Sequence, residues 1–212
     1  MHTDSRLLTL TQWLSPAYPV GGFGWSHGLE AAIAEVWVSD VISLEAWLRD
    51  VLAEGSGRSD ALFVVLAHGA EDITVLDATA RAYAASLERQ QESARQGAAF
   101  AAVTREVWAL DLPDVMLPVA LGRAAGLVGM EPEPVAALYL HSFVSNLTSA
   151  AQRLMPLGQT AAQGIVHRLA PLCIKIAADV HGGSLDDLSS QTFLSDIAAM
   201  RHETQQPRLF QS

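Results

Sequence analysis

Apolar residues recur at intervals of three and four along nearly the whole chain. Only one run, Leu62-Phe63-Val64-Val65-Leu66, has the continuous apolar character of a buried strand. A lone strand has no partner to pair with, so the pattern predicts one all-α domain over residues 1–212. The expected architecture is a bundle of about eight to ten helices. Leu44, Trp47, Leu48, Val51 and Leu52 mark one amphipathic helix, with Ser43 read as its N-cap and Gly55 and Gly57 as its close. Asp72 reads as the cap of a second, running to about Ser86.

A long polar and alanine-rich helix is expected from Leu87 to about Leu110, its inner face carried by Leu87, Gln91, Ala94, Ala98, Ala101 and Trp108. Pro118 to Gly129 predicts a shorter one. Pro132 and Pro134 suit the first turn of the next, whose stripe is Val135, Tyr139, Phe143, Leu147, Ala150 and Leu154. After Pro156-Leu157-Gly158, read as a tight corner, a helix from Gln159 to about Val180 carries Ile165, Leu169, Cys173, Ile176 and Val180, with a kink expected at Pro171. His181-Gly182-Gly183 ends it, and Ser184 to about Gln205 forms one or two final pieces. Segments 1–6 and 206–212 read as flexible.

Half of the 212 residues are hydrophobic and 17% are charged, against ~25% charged in typical soluble domains. So little charge implies that some apolar surface is buried against a partner, although a large core also absorbs much of it. The formal net charge is −10, and the only lysine is Lys175. Without a basic patch, neither nucleic acid nor an anionic membrane is an expected partner. The single cysteine, Cys173, has no partner for an internal disulfide, which fits a reducing cytoplasm. Met1-His2-Thr3-Asp4-Ser5-Arg6 lacks a basic stretch leading into an apolar core, so no signal peptide is expected.

The most unusual local stretch runs from Ser15 to Glu30: SPAYPVGGFGWSHGLE. Within it, Gly24-Trp25-Ser26-His27-Gly28 fits the G-x-S-x-G pattern of a serine-hydrolase nucleophile elbow. That elbow must join a strand to a helix, and Pro19-Val20-Gly21-Gly22-Phe23 cannot make a central strand. No catalytic residue is therefore assigned, and a hydrolase stays an unfavoured alternative. No two of the seven histidines stand three or four apart, and no metal or nucleotide motif is present, so neither metal nor cofactor is assigned to this chain. His202-Glu203 reads as a helix-end feature. At the C-terminus, Pro207 interrupts any helix, yet Arg208, Leu209 and Phe210 follow. These residues read either as a frayed tail or as a peptide that orders on a partner.

Taken together, four blocks resemble the UreF family of urease accessory proteins. The first is Ser15-Pro16, Pro19-Val20-Gly21, Phe23 and Ser26-His27-Gly28-Leu29-Glu30. The second is the polar helix Glu88 to Gly97, and the third is Arg153-Leu154-Met155-Pro156-Leu157-Gly158-Gln159-Thr160. The last is Met200-Arg201-His202-Glu203-Thr204-Gln205 with Arg208-Leu209-Phe210 and Ser212. Gly24 and Trp25 depart from the family's usual serine and tyrosine, and Gln211 stands where arginine is common.

The resemblance implies a non-catalytic, cytoplasmic scaffold. It is expected to dimerise and to assemble with a UreD/UreH-type accessory protein and the GTPase UreG. The complex then engages apo-urease to install nickel, so nickel and GTP belong to the partners. It also implies that Arg208, Leu209, Phe210, Gln211 and Ser212 dock on the UreD/UreH-type partner. Pro19, Gly21 and Gly22 read as a rigid mount for a helix beginning near Phe23, with Trp25, His27 and Glu30 on its exposed part. Glu30 meets a basic face of the GTPase in one reading and is a solvated helix residue in the other. Pro156 and Gly158 read as structural. Arg95 and Arg105 are candidates for ion pairs across an interface. A general helical adaptor unrelated to metal enzymes is the remaining alternative.

Overall fold

The computed structural model describes residues 5–212. Ten α-helices occur among them, and no strand. They are α1 (Ser5–Trp13), α2 (Leu29–Ala34), α3 (Val41–Glu54), α4 (Ser56–Gly69), α5 (Thr74–Ala82), α6 (Leu87–Trp108), α7 (Leu117–Leu127), α8 (Pro132–Leu154), α9 (Gln159–Asp179) and α10 (Phe193–His202). Single 3-10 turns lie at Gly22–Gly24 and Leu185–Asp187. The all-α expectation holds, and the apolar run 62–66 lies inside α4, where Leu62, Phe63 and Val64 are buried.

α4 is the central helix, packed against α3, α7, α8 and α9. Its closest neighbour is α7, whose two glycines make the approach possible. A Cβ at Gly122 would stand 2.2 Å from the Val64 carbonyl oxygen, and one at Gly126 2.1 Å from that of His68. α8 and α9 form an antiparallel pair over the other side. The stripe from Val135 to Ala150 on α8 and the set Ile165, Leu169, Cys173, Ile176 on α9 point inward as the spacing predicts. Burial pushes the Cys173 thiol up to about 11. Pro171 sits inside α9 without ending it.

Local chemistry corrects several boundaries. α3 is capped by Asp40, whose carboxylate accepts from the Ser43 amide at 2.8 Å, while the Ser43 hydroxyl accepts from the Asp40 amide at 3.0 Å. Ser43 is thus the third residue of a reciprocal capping box and not the cap. Gly55 ends α3, but Gly57 belongs to the first turn of α4. Asp72 does accept from Thr74 at 2.8 Å, and α5 stops at Ala82, freeing Ser86 to cap α6.

The inner face of α6 also differs from the expected one. It is Gln96, Gly97, Phe100, Ala101 and Thr104, whereas Leu87 is exposed. The helix turns this way because Gly97 lies against main chain, where a Cβ would stand 1.9 Å from the Val115 carbonyl oxygen.

Of the ends expected to be flexible, residues 1–4 lie outside the described residues. Ser5 and Arg6 open α1, and Arg6 donates to the Gly129 carbonyl at 2.7 Å. Residues 208–212 are not loose either. They are hydrogen-bonded along the loop between α1 and α2, with Phe210 and Ser212 buried. No helix among the described residues is long and apolar enough to cross a membrane.

Candidate functional site: a C-terminal strap on the first loop

The loop from Ser15 to Gly28 is fixed at both ends. Its first half is pinned by Tyr18, whose hydroxyl meets that of Thr104 at 2.8 Å and whose ring joins Trp13, Phe100 and Trp108 in an aromatic cluster. Pro19 leads from there to Gly21, which takes a left-handed φ of 73° and starts the 3-10 turn. Gly22 has no comparable need, since a Cβ there meets only ordinary contact. The expected helix from Phe23 is therefore one 3-10 turn, followed by extended backbone at Trp25.

The second half ends at Gly28, with φ 76° and no room for a side chain. A Cβ would lie 2.7 Å from the Ala199 nitrogen, so this glycine lets α2 start directly against α10. His27 before it also has positive φ (60°).

The C-terminal segment lies on this loop as a strap. Gln211 donates its amide to the Gly24 carbonyl at 2.8 Å, and Ser26 donates its amide to the Ser212 main-chain oxygen at 2.7 Å. The Ser26 hydroxyl donates to the same oxygen and accepts from the Glu30 amide. Ser212 donates its own hydroxyl to Glu92 at 2.7 Å. The Phe210 ring is buried beneath Arg153, whose guanidinium stands 4.3 Å from the ring centre and donates to the Phe23 carbonyl. Gln211 accepts from Arg95 at 3.2 Å, so the residue that departs from the usual arginine still finds a charged partner.

Glu30 is the centre of the strap's attachment. One carboxylate oxygen accepts the Leu209 amide at 2.6 Å, and the other accepts the Phe210 amide at 2.8 Å and faces His202 Nε2 at 3.2 Å. His202 Nδ1 faces Glu88 at 2.7 Å, and Glu88 accepts from Arg208. Trp25, His27 and Glu30 are therefore not an exposed helix face. All three are buried, Glu30 under the strap amides and His27 with its ring against Phe143 and Ser56. Leu209 and Phe23 remain exposed beside it.

Other expectations resolve one by one. His202 and Glu203 do not pair with each other; Glu203 accepts the Leu87 amide at 2.7 Å, across the start of α6. Arg105 is bound within the chain to Asp114 and the Leu112 carbonyl. The α8–α9 corner exists at Met155–Gly158, where Leu157 donates to the Met155 carbonyl and Gly158 caps α9. Gly158 has ordinary φ and open space, so the corner rests on Pro156 and the main chain more than on that glycine. Ser26 has a main-chain oxygen and an amide as partners, not a base. Among the described residues no group of three or more His, Cys, Asp or Glu is placed to hold a metal ion.

A buried polar region that sequence reasoning missed lies behind the loop. Two small cavities, of about 80 and 50 Å³, share Asp60, Arg89 and Ser93 in their walls. Asp60 accepts from the Tyr139 hydroxyl at 2.6 Å, and burial pushes its carboxyl up to about 6. Burial, and then the positive charge of Arg89, hold His27 neutral well below the usual histidine range; its Nε2 meets the Ser56 hydroxyl at 2.6 Å. These residues come from four separate elements, and no local spacing in the chain announces them.

The strap joins all four sequence blocks in one contact network, and comparison with known proteins accounts for that conjunction. The UreF family model matches residues 38–170. A urease accessory protein UreF from Ruegeria pomeroyi is 46% identical over 213 residues, covering 99% of this chain and 98% of its own length. The chain belongs to the UreF family. A urease accessory protein UreF from Cereibacter sphaeroides is 49% identical over 209 residues, covering 99% of this chain and 100% of the relative. One from Bradyrhizobium is 43% identical, with 98% of this chain and 91% of the relative aligned. The UreF relationship thus extends through both the first loop and the strap, beyond the segment the family model matches.

Proposed function

We propose that this chain is a non-catalytic scaffold in urease maturation, contributing to nickel incorporation into apo-urease with a UreD/UreH-type protein and the GTPase UreG. What supports the reading is its place among urease accessory proteins together with the strap. Binding energy in protein interfaces concentrates in preorganised apolar and arginine anchors. Leu209 on the strap and Phe23 on the loop are both exposed, and Arg153 and Arg208 are held by the Phe23 carbonyl and by Glu88, on a mount fixed by buried hydrogen bonds. The partner therefore meets a composite surface of strap and loop. Trp25, His27 and Glu30 act beneath it by holding its shape.

Nickel and GTP belong to the partner proteins in this reading, and the chain itself works as a cytoplasmic homodimer within the complex. The test is co-expression of urease subunits and the other accessory proteins with and without this chain. Nickel-dependent urease activity should appear only with it. Equal activity in its absence overturns the proposal and favours a helical adaptor of other purpose.

A further inference from the structure

Helix α10 is apolar on two sides. Ala198 and Ala199 are buried toward the bundle, where the helix packs on α2 and α6. Phe193, Ile197 and Met200 follow one another at four and three residues along the opposite side, and all three are exposed. A helix that is apolar all round belongs in an interior, so the outer stripe marks a face that meets something. At its start the stripe opens into a groove of about 400 Å³ between α10 and the end of α3. Trp47 and Val51 on α3 and Phe193 and Leu194 on α10 form its apolar walls.

The groove is fixed by main chain. The Gln191 amide donates to the Glu54 carbonyl at 2.8 Å, and Gly55 has no side chain where Thr192 crosses it; a Cβ there would stand 2.5 Å from the Thr192 hydroxyl. The start of α10 is thereby clamped to the end of α3, and a preformed groove lowers the ordering cost of binding.

The rest of the wall is acidic. Asp50 and Glu54 lie four apart on α3, both exposed and both lining the groove. Neither carboxylate has a hydrogen-bond or ion-pair partner among the described residues. The arginines of α3, α4 and α9 are engaged elsewhere, Arg49 and Arg168 with Glu45 and Arg58 with Asp179. Like charges at that spacing repel, and the C-terminal end of a helix disfavours both. No basic residue stands in the last turn of α3 to offset them.

We propose that this groove is a docking site for an arginine that another protein presents between apolar residues. A guanidinium is planar and weakly hydrated, so it stacks on an indole such as Trp47 while donating to carboxylates such as Asp50 and Glu54. Its apolar neighbours cover Phe193 and Leu194. A second copy of this chain fits the groove less well, because it brings a net charge of −10 to an acidic rim. No residue lining the groove touches the strap, so this is a second surface. It rests on this chain alone, and it and the preceding proposal can fail separately.

The test titrates the full ¹⁵N-labelled chain with a blocked tripeptide of leucine, arginine and leucine, followed by nuclear magnetic resonance. A second peptide carries citrulline, the neutral isostere, in place of arginine. The Trp47 indole and the Thr192 and Ser195 amides should shift and saturate with the arginine peptide, while Leu140 of α8 stays still. The citrulline peptide should bind at least tenfold more weakly. Asp50→Asn with Glu54→Gln should weaken the arginine peptide at least tenfold, and Phe193→Ala should weaken both peptides. Glu45→Gln, an acid on α3 outside the groove, should leave both affinities unchanged. Circular dichroism checks that each variant is folded; if one is not, the comparison of the two peptides on the unaltered chain decides. Absence of shifts at the groove, or equal affinity for the two peptides, overturns the proposal. So does a folded groove variant that binds the arginine peptide as tightly as the unaltered chain. Groove signals that move with protein concentration alone, and no further with peptide, assign the groove to a second copy and overturn it as well.

Discussion

Glu30 and Phe210, 180 positions apart in sequence, are joined by a 2.8 Å hydrogen bond from the Phe210 amide to the Glu30 carboxylate. The same carboxylate takes the Leu209 amide at 2.6 Å. A hydrogen bond to a charged group contributes roughly 1.5–3 kcal/mol, about twice a neutral one. Glu30→Gln removes the charge and turns an N–H toward one of the two amides. Strap docking should weaken by about 1–3 kcal/mol, seen as faster exchange at Phe210 with the helix signal unchanged.

Gly28 and Gly158 should respond oppositely to alanine. At Gly28 the new Cβ meets the Ala199 main chain at 2.7 Å, and φ is 76°, so strain and overlap add. A loss of roughly 2–4 kcal/mol in denaturant unfolding is expected. At Gly158 the backbone is ordinary and the space open, and Gly158→Ala should change stability by no more than about 0.5 kcal/mol.

Asp60 provides a pH signature with a definite sign. Its carboxyl is raised from 3.8 to about 6 in the folded chain, so the folded state binds the proton more tightly than the unfolded one. Its contribution to stability is greatest below the unfolded value, falls as pH rises from about 4 to about 6, and is flat above. Asp60→Asn keeps an acceptor for the Tyr139 hydroxyl and removes that slope. At pH 7 the variant should be more stable by roughly 1–2 kcal/mol, discounted because solvent reaches part of this mostly buried residue. Denaturant unfolding at pH 4.5 and pH 7 checks both the slope and its loss.

Ser26→Ala tests the hydroxyl as a structural group. It removes the bond to the Ser212 oxygen, so the strap should loosen by about 1 kcal/mol. An esterase activity present in the original chain and absent in the variant would restore the nucleophile reading.

The helical architecture was legible because core spacing is local: Val135 to Ala150 and Ile165 to Ile176 fall inward as periodicity requires. The face of α6 was not, since Gly97 contributes contact by having no side chain, which a search for apolar residues overlooks. The cap of α3 was misplaced by three residues, because Asp40 and Ser43 both carry capping chemistry and only their reciprocal bonds assign the roles.

At the site, the right residues were singled out for a different arrangement. Trp25, His27 and Glu30 on one side and Arg208 to Ser212 on the other were each read as facing a partner, whereas the chain brings them onto each other. A charged residue such as Glu30 reads as exposed until two amides and a histidine from the far end of the chain are found on it. Long-range pairing of that kind leaves no trace in local spacing.

In the proposed scaffold the strap is part of the partner-facing surface. Its most direct test is affinity co-purification of the UreD/UreH-type protein with the full chain and with a chain ending at Pro207. The shortened chain should keep its helical circular dichroism and capture none of the partner. Capture at the level of the full chain would contradict the account.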